Sequence, residues 1–182
     1  MNELLMAHYM LKTDSDPRFR RWVLSCMIGN TYYHNFVTHL LEAAYQREVY
    51  RIVDGGGSVN AETLSRLMRE TLRKFWGEDV EITEDAALTW MRQPHYYMGL
   101  YSYTYSAGLT VATQVCRRIE QEGRPAVEDW KRVLAAGSTK DPAGLAAMAG
   151  VDITTDEPLR DTIAYIGGII DEIEKLTEQL TA

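Results

Sequence analysis

Large apolar residues recur at three- and four-residue steps over most of this chain, and no stretch alternates apolar and polar long enough to make a half-buried strand. Phe19, Trp22, Val23 and Cys26 lead through Phe36, Leu40, Leu41 and Tyr45 to Ile52. This spacing predicts one long helix, or two nearly collinear helices broken near Gly29-Asn30. Gly55-Gly56-Gly57 ends it, because consecutive glycines are costly inside a helix and adopt the left-handed terminating conformation without strain.

Asn60 reads as the N-cap of a helix bearing Leu64, Leu67, Met68, Leu72 and Phe75, closed by Gly77. Glu78 to Thr83 is a loop, and a short helix with Leu88, Trp90 and Met91 is stopped by Pro94. Beyond Gly108, Leu109, Val111, Ala112, Val115, Cys116 and Ile119 continue a helix to about residue 122, whose first turns the preceding tyrosines are expected to form. A helix over Val127 to Ala135 ends at Gly137, and Asp141-Pro142 opens a shorter one that ends at Gly150.

Thr155, Asp156, Glu157 and Pro158 make a capped, acid-rich first turn for the last helix. Its stripe of Leu159, Ile163, Ile166, Ile170, Ile173, Leu176 and Leu180 is expected to pack on the body of the domain or on a partner helix. The fold class is therefore all-α, a single helical domain over residues 1–182 with no internal repeat.

Composition narrows the function. A net charge of -7 and a pI near 5.1, with basic residues scattered among acids, argue against nucleic acid as a partner. Cys26 and Cys116 have no metal or disulfide spacing and read as small core residues of a reducing compartment. With no signal peptide and no apolar run of about 18 residues, the expectation is a cytoplasmic chain with no membrane partner.

Five of the eleven tyrosines, Tyr96, Tyr97, Tyr101, Tyr103 and Tyr105, crowd beside His95, one of four histidines. A core would use Leu, Ile and Val there, since every phenol needs a hydrogen-bond partner when buried. On a helix, Tyr97, Tyr101 and Tyr105 share one face with Gly108. Two readings stand: a packed aromatic ridge, or a wall of neutral donors aimed at a substrate or a developing oxyanion. His34 and His39, five apart, do not make a helical ligand pair and read as structural or surface groups. The sequence holds no HExxH, GxSxG, P-loop or GxGxxG spacing, so no catalytic apparatus is complete and no metal ligand is assigned.

Several spaced motifs nevertheless fall in a familiar order. Asn2-Glu3-Leu4-Leu5 precedes Tyr9-Met10-Leu11-Lys12; Gln93-Pro94-His95-Tyr96-Tyr97 and Tyr101-Ser102-Tyr103-Thr104-Tyr105-Ser106-Ala107-Gly108 follow; Leu134-Ala135-Ala136-Gly137-Ser138 and Met148-Ala149-Gly150-Val151-Asp152 come last. Over essentially its whole length the chain resembles the C-terminal end of the oligoendopeptidase F family, bacterial zinc peptidases of the thimet oligopeptidase and neurolysin clan.

The resemblance implies a helical catalytic domain in which an HExxH helix and a downstream glutamate hold zinc, and short peptides are the substrate. It places those ligands upstream of Met1, so zinc belongs to the intact enzyme, and this chain alone is expected to bind none and to be inactive. Glu3 would lie near that metal without ligating it. His95 takes the place of the family's transition-state histidine, Tyr105 that of the distal tyrosine, and Tyr97 or Tyr101 that of the proximal one. Tyr96, Gly99 and Gly108 are the expected substrate contacts. Met98, seven before Tyr105, departs from the thimet-type pattern. The rival expectation is an all-α module that binds a peptide without chemistry, or self-associates through the Leu159 to Leu180 stripe.

Overall fold

In the computed structural model, which describes residues 1–181, every regular element is helical and no strand occurs among those residues. The helices are α1 (Asn2–Thr13), α2 (Pro17–Cys26), α3 (His39–Asp54), α4 (Ala61–Trp76), α5 (Glu84–Ala87), α6 (Thr89–Arg92), α7 (Tyr103–Glu122), α8 (Arg124–Ala136), α9 (Pro142–Met148) and α10 (Glu157–Thr181). Asp16, Asn60, Thr83 and Asp141 cap α2, α4, α5 and α9 by accepting from the backbone N–H of Arg18, Thr63, Ala86 and Gly144. Between α2 and α3, Met27–Thr38 winds as a π-helix, so the expected break at Gly29-Asn30 is a continuous but under-wound segment. Backbone contacts gather residues 1–35 and 107 onward into one compact unit and Phe36–Ser106 into a second.

In the first unit, Val115 of α7 packs with Ala149 and Val151, flanked by Val111, Ile119, Trp130 and Val133. Gly150 sits at φ +77, a conformation that favours glycine, and a Cβ there would push the Arg118 guanidinium aside. That guanidinium donates to the Ala149 carbonyl oxygen and to the Glu122 and Asp129 carboxylates. Helix α10 lies along α2, but the buried line follows the expected stripe only in part, with Leu176 buried and Ile166, Ile173 and Leu180 half-buried. Pro158, Thr162, Ile169 and Leu176 are buried, whereas Leu159, Ile163 and Ile170 are exposed. Polar bonding sets this rotation: Gln114 Nε2 donates to the Pro158 carbonyl at 3.1 Å and to Thr162 Oγ1 at 3.2 Å, which turns the Thr162 side inward.

The second unit packs α3 on α4 through Tyr45, Leu67 and Met68, with Val49, Leu64, Leu72, Trp90 and Tyr96 around them. The short helix expected near Trp90 is two single turns, α5 and α6, meeting at Leu88. The tyrosine segment departs further from expectation. Pro94–Tyr97 is a 3-10 turn, residues 98–102 are not helical, and α7 begins only at Tyr103.

Two causes account for the late start of α7. Leu100 holds φ 53, a left-handed value that no right-handed helix contains. Buried Gln46 places Nε2 at 3.2, 3.3 and 3.1 Å from the carbonyl oxygens of His95, Tyr96 and Met98, so a side chain of α3 takes the acceptors that helix bonds would have used.

Candidate functional site

The site is built within the second unit, on α3, the Pro94–Tyr97 turn and the start of α7. Glu42 lies buried on α3, where it is 3% exposed. A carboxylate in such a place is tolerated only when its oxygens are bonded. Gln93 Nε2 donates to Glu42 Oε1 at 3.0 Å, and Ser102 Oγ donates to Glu42 Oε2 at 2.9 Å.

Gln93 Nε2 also lies 3.0 Å from His95 Nδ1. An amide nitrogen facing a carboxylate can only donate, so His95 Nδ1 accepts, and the N–H of the neutral ring sits on Nε2. Pro94 makes this possible, since it holds Gln93 extended at φ -86, ψ 112, with His95 two residues away on the turn.

Four rings converge beside this network. His39 of α3 stacks on Tyr105, with centroids 4.0 Å apart and planes at 17°. The His95 ring is 5.2 Å from Tyr101 and 5.4 Å from both Tyr105 and His39. Tyr101 and Tyr105 meet edge to face at 5.4 Å, and their hydroxyls are 3.2 Å apart. The hydrogen bond with Tyr101 is the main cause that raises the Tyr105 phenol above its ordinary value, with partial burial and the Tyr101 and Glu42 charges adding to it. The Tyr105 phenol therefore keeps its proton at neutral pH.

The expected residues divide. His95, Tyr101 and Tyr105 come together. Tyr97 does not: the four-residue spacing that would align it holds only on a continuous helix, and its hydroxyl instead donates to the Trp90 carbonyl at 3.2 Å. Between the two tyrosines the resemblance offers for the proximal role, the geometry puts Tyr101 beside Tyr105. Tyr96, expected among the substrate contacts, turns into the core and meets Tyr45 edge to face at 5.1 Å; burial is the chief cause that pushes its phenol far up. Gly99 and Gly108 are exposed, and neither has an atom within 4 Å of where a Cβ would stand. Glu3, in the first unit, accepts from Thr31 Oγ1 at 2.8 Å.

His39, Glu42, Gln93 and Ser102 were not expected to share this site. The nitrogens of His39 and His95 and a carboxylate oxygen of Glu42 all lie within 4.8 Å of one another. Spacing along the helix pointed away from any ligand group, because His34 and His39 do not pair. The signal present was His39-Leu40-Leu41-Glu42, whose first and last residues are three apart and share a helix face.

Comparison with known proteins bears on the family and the fold. The model of peptidase family M3 matches residues 21–165. Oligopeptidase PepF of Bacillus subtilis (strain 168) is 28% identical over 175 residues, 96% of this chain and 26% of that protein. The oligoendopeptidase F homolog of Borreliella burgdorferi is 26% identical over 97% of this chain and 30% of its own length. The crystal structure of oligoendopeptidase-F from Enterococcus faecium superposes with a TM-score of 0.88 at 25% identity, covering 95% of this chain and 33% of that one. The chain thus spans about a quarter to a third of the proteins it matches. A family match across most of the sequence, together with an all-helical fold that superposes along nearly its whole length, makes this chain a member of peptidase family M3.

Proposed function

We propose that the His95, Tyr101 and Tyr105 group is the substrate-facing wall of a metal-dependent peptidase acting on short peptides. The supporting observation is the pair of phenol hydroxyls 3.2 Å apart beside an imidazole whose N–H lies on Nε2. Attack on a peptide carbonyl turns its oxygen into an oxyanion. Fixed donors that bond this oxygen more strongly than the ground-state carbonyl lower the barrier. One phenol hydroxyl donates to the other, so the remaining phenol O–H and His95 Nε2–H are the donors this arrangement offers, and neither must lose a proton first. Glu42, Gln93 and Ser102 hold the histidine, and stacking on His39 holds Tyr105.

In the family that this chain resembles, zinc activates the attacking water. The residues present do not fit that centre, since no HExxH occurs in the sequence. The chain by itself is therefore expected to cleave nothing. The relatives' names, oligopeptidase and oligoendopeptidase, support short peptides as the substrate class.

The test is expression of this chain in continuity with whatever coding sequence lies upstream. An HExxH about 25 to 30 residues before Asn2, with chelator-sensitive cleavage of a quenched fluorescent peptide, is the expected result. An upstream sequence without that motif, or a product with no peptidase activity, would overturn the proposal.

A second reading has one observation in its favour. Leu159, Ile163 and Ile170 are exposed on the outer side of α10, which suits self-association of the chain.

A further inference from the structure

We infer that His39, Glu42 and His95 form a binding site for one divalent transition-metal ion of the zinc type, separate from any HExxH centre. The inference goes beyond the peptide-wall reading and stands without it. Two imidazoles and one carboxylate are a donor set for zinc, cobalt, nickel or copper, whereas magnesium and calcium favour all-oxygen sites. The three ligand atoms lie within 4.8 Å of one another, and His95 Nδ1 is already 3.7 Å from Glu42 Oε2. Bonds of about 2.0 to 2.1 Å in a tetrahedral site put ligand atoms about 3.4 Å apart, so the three atoms have to draw together by about 1.4 Å at most. His95 has more room to move than Glu42: its side chain is 20% exposed on a short turn, against 4% for Glu42.

The existing hydrogen bonds already mark a place for positive charge. Gln93 Nε2 stands 3.0 Å from Glu42 Oε1 and 3.0 Å from His95 Nδ1, so lone pairs of both ligands are directed at an amide nitrogen whose two N–H groups now meet them. A cation there would meet the same lone pairs with more charge. Gln93, by turning its amide, can offer Oε1 as a fourth ligand. Because His95 Nδ1 carries no proton in this arrangement, binding through it releases none and leaves Nε2–H available. Ser102 Oγ, bonded to Glu42 Oε2, is the outer partner that holds the carboxylate. His39 and Glu42 are three residues apart on α3, so their side chains leave the same face of one helix.

The test is a cobalt(II) titration of the 182-residue chain, followed by visible absorption and by calorimetry. The expected result is saturation at one ion per chain with the absorption of a four-coordinate site, displaced by zinc and unaffected by magnesium or calcium. His39→Ala and His95→Ala should each abolish it, and Ser102→Ala should weaken it about 10- to 100-fold. His34→Ala and Cys116→Ser should leave it unchanged. Glu42→Gln should also abolish it, and His95→Ala keeps the test decisive if that buried substitution disturbs folding. Absence of saturable binding, equal binding of magnesium, or binding that survives His95→Ala would overturn the inference.

Discussion

Gln93 donates to His95 Nδ1 across 3.0 Å, and this single bond decides which nitrogen of the ring offers a proton to the outside. The histidine is thereby a donor at Nε2.

Tyr101→Phe and Tyr105→Phe, placed in an active peptidase containing this chain, should each lower kcat by about 100- to 1,000-fold, the loss expected for one oxyanion donor, while KM changes little. Tyr97→Phe should change activity by no more than about twofold, because its hydroxyl bonds the Trp90 carbonyl instead. Steady-state cleavage of a fluorogenic peptide separates the three. An equal loss in all of them would mean that Tyr97 belongs to the wall after all.

Ser102→Ala should destabilise the chain by about 1.5 to 3 kcal/mol, since it removes a buried hydrogen bond to a charged group. Urea unfolding followed by circular dichroism gives the value. A midpoint unchanged from the parent would contradict the role given to Glu42 as a buried anchor.

His8 in α1 is buried, with Tyr165 hydroxyl 2.7 Å from Nε2 and Glu120 Oε1 3.3 Å from Nδ1, and Lys12 is 3.2 Å from the same carboxylate. The Nδ1 contact is close enough for an ion pair but not aligned as a hydrogen bond. Burial, the largest cause, lowers the His8 pKa; the Glu120 charge opposes it and Lys12 adds to it. The folded state thus binds fewer protons than the unfolded one near pH 6.5, so this contribution is present above that pH and is lost as the pH falls through the lower folded value. The urea midpoint of the parent should drop more between pH 7.5 and 5.5 than that of His8→Asn. Equal drops would assign the effect to other groups.

Burial raises the Cys116 thiol to about 11, against a positive N-terminus that pulls the other way. An unfolded thiol ionises near 8.5. Stability from Cys116 is therefore complete below about pH 8.5 and is lost as the pH rises through about 11. In the folded chain at pH 8.5, half-exposed Cys26 should react with a thiol reagent well before Cys116. Mass mapping of the first labelled site checks the order.

Ile163→Glu or Ile170→Glu should leave the unfolding midpoint within about 0.5 kcal/mol of the parent, since both side chains face outward. If the outer side of α10 mediates self-association, either change should shift sedimentation toward the monomer. A mass that is independent of concentration in the parent would remove that reading.

How far the sequence could be read differs from residue to residue. Asn60, Asp141 and Gly77 marked helix ends correctly, because capping involves groups only two or three residues apart. Apolar spacing located α10, but not its inward side, which depends on Gln114, 44 and 48 residues from its partners Pro158 and Thr162. The tyrosine helix failed for a similar reason: Gln46, about 50 residues away, holds the carbonyls that a helix would have claimed.

By itself the sequence determined the helices, their caps, the absence of alternating strands and the presence of His95, Tyr101 and Tyr105 near one helix start. These follow from local periodicity and from short-range hydrogen bonding. Only the tertiary structure decided that Tyr96 is core and Tyr97 stands apart, and that His39, Glu42, Gln93 and Ser102 join the site. Those outcomes depend on bonds between residues as much as 60 positions apart, such as Ser102 to Glu42, and spacing along one helix carries no record of them.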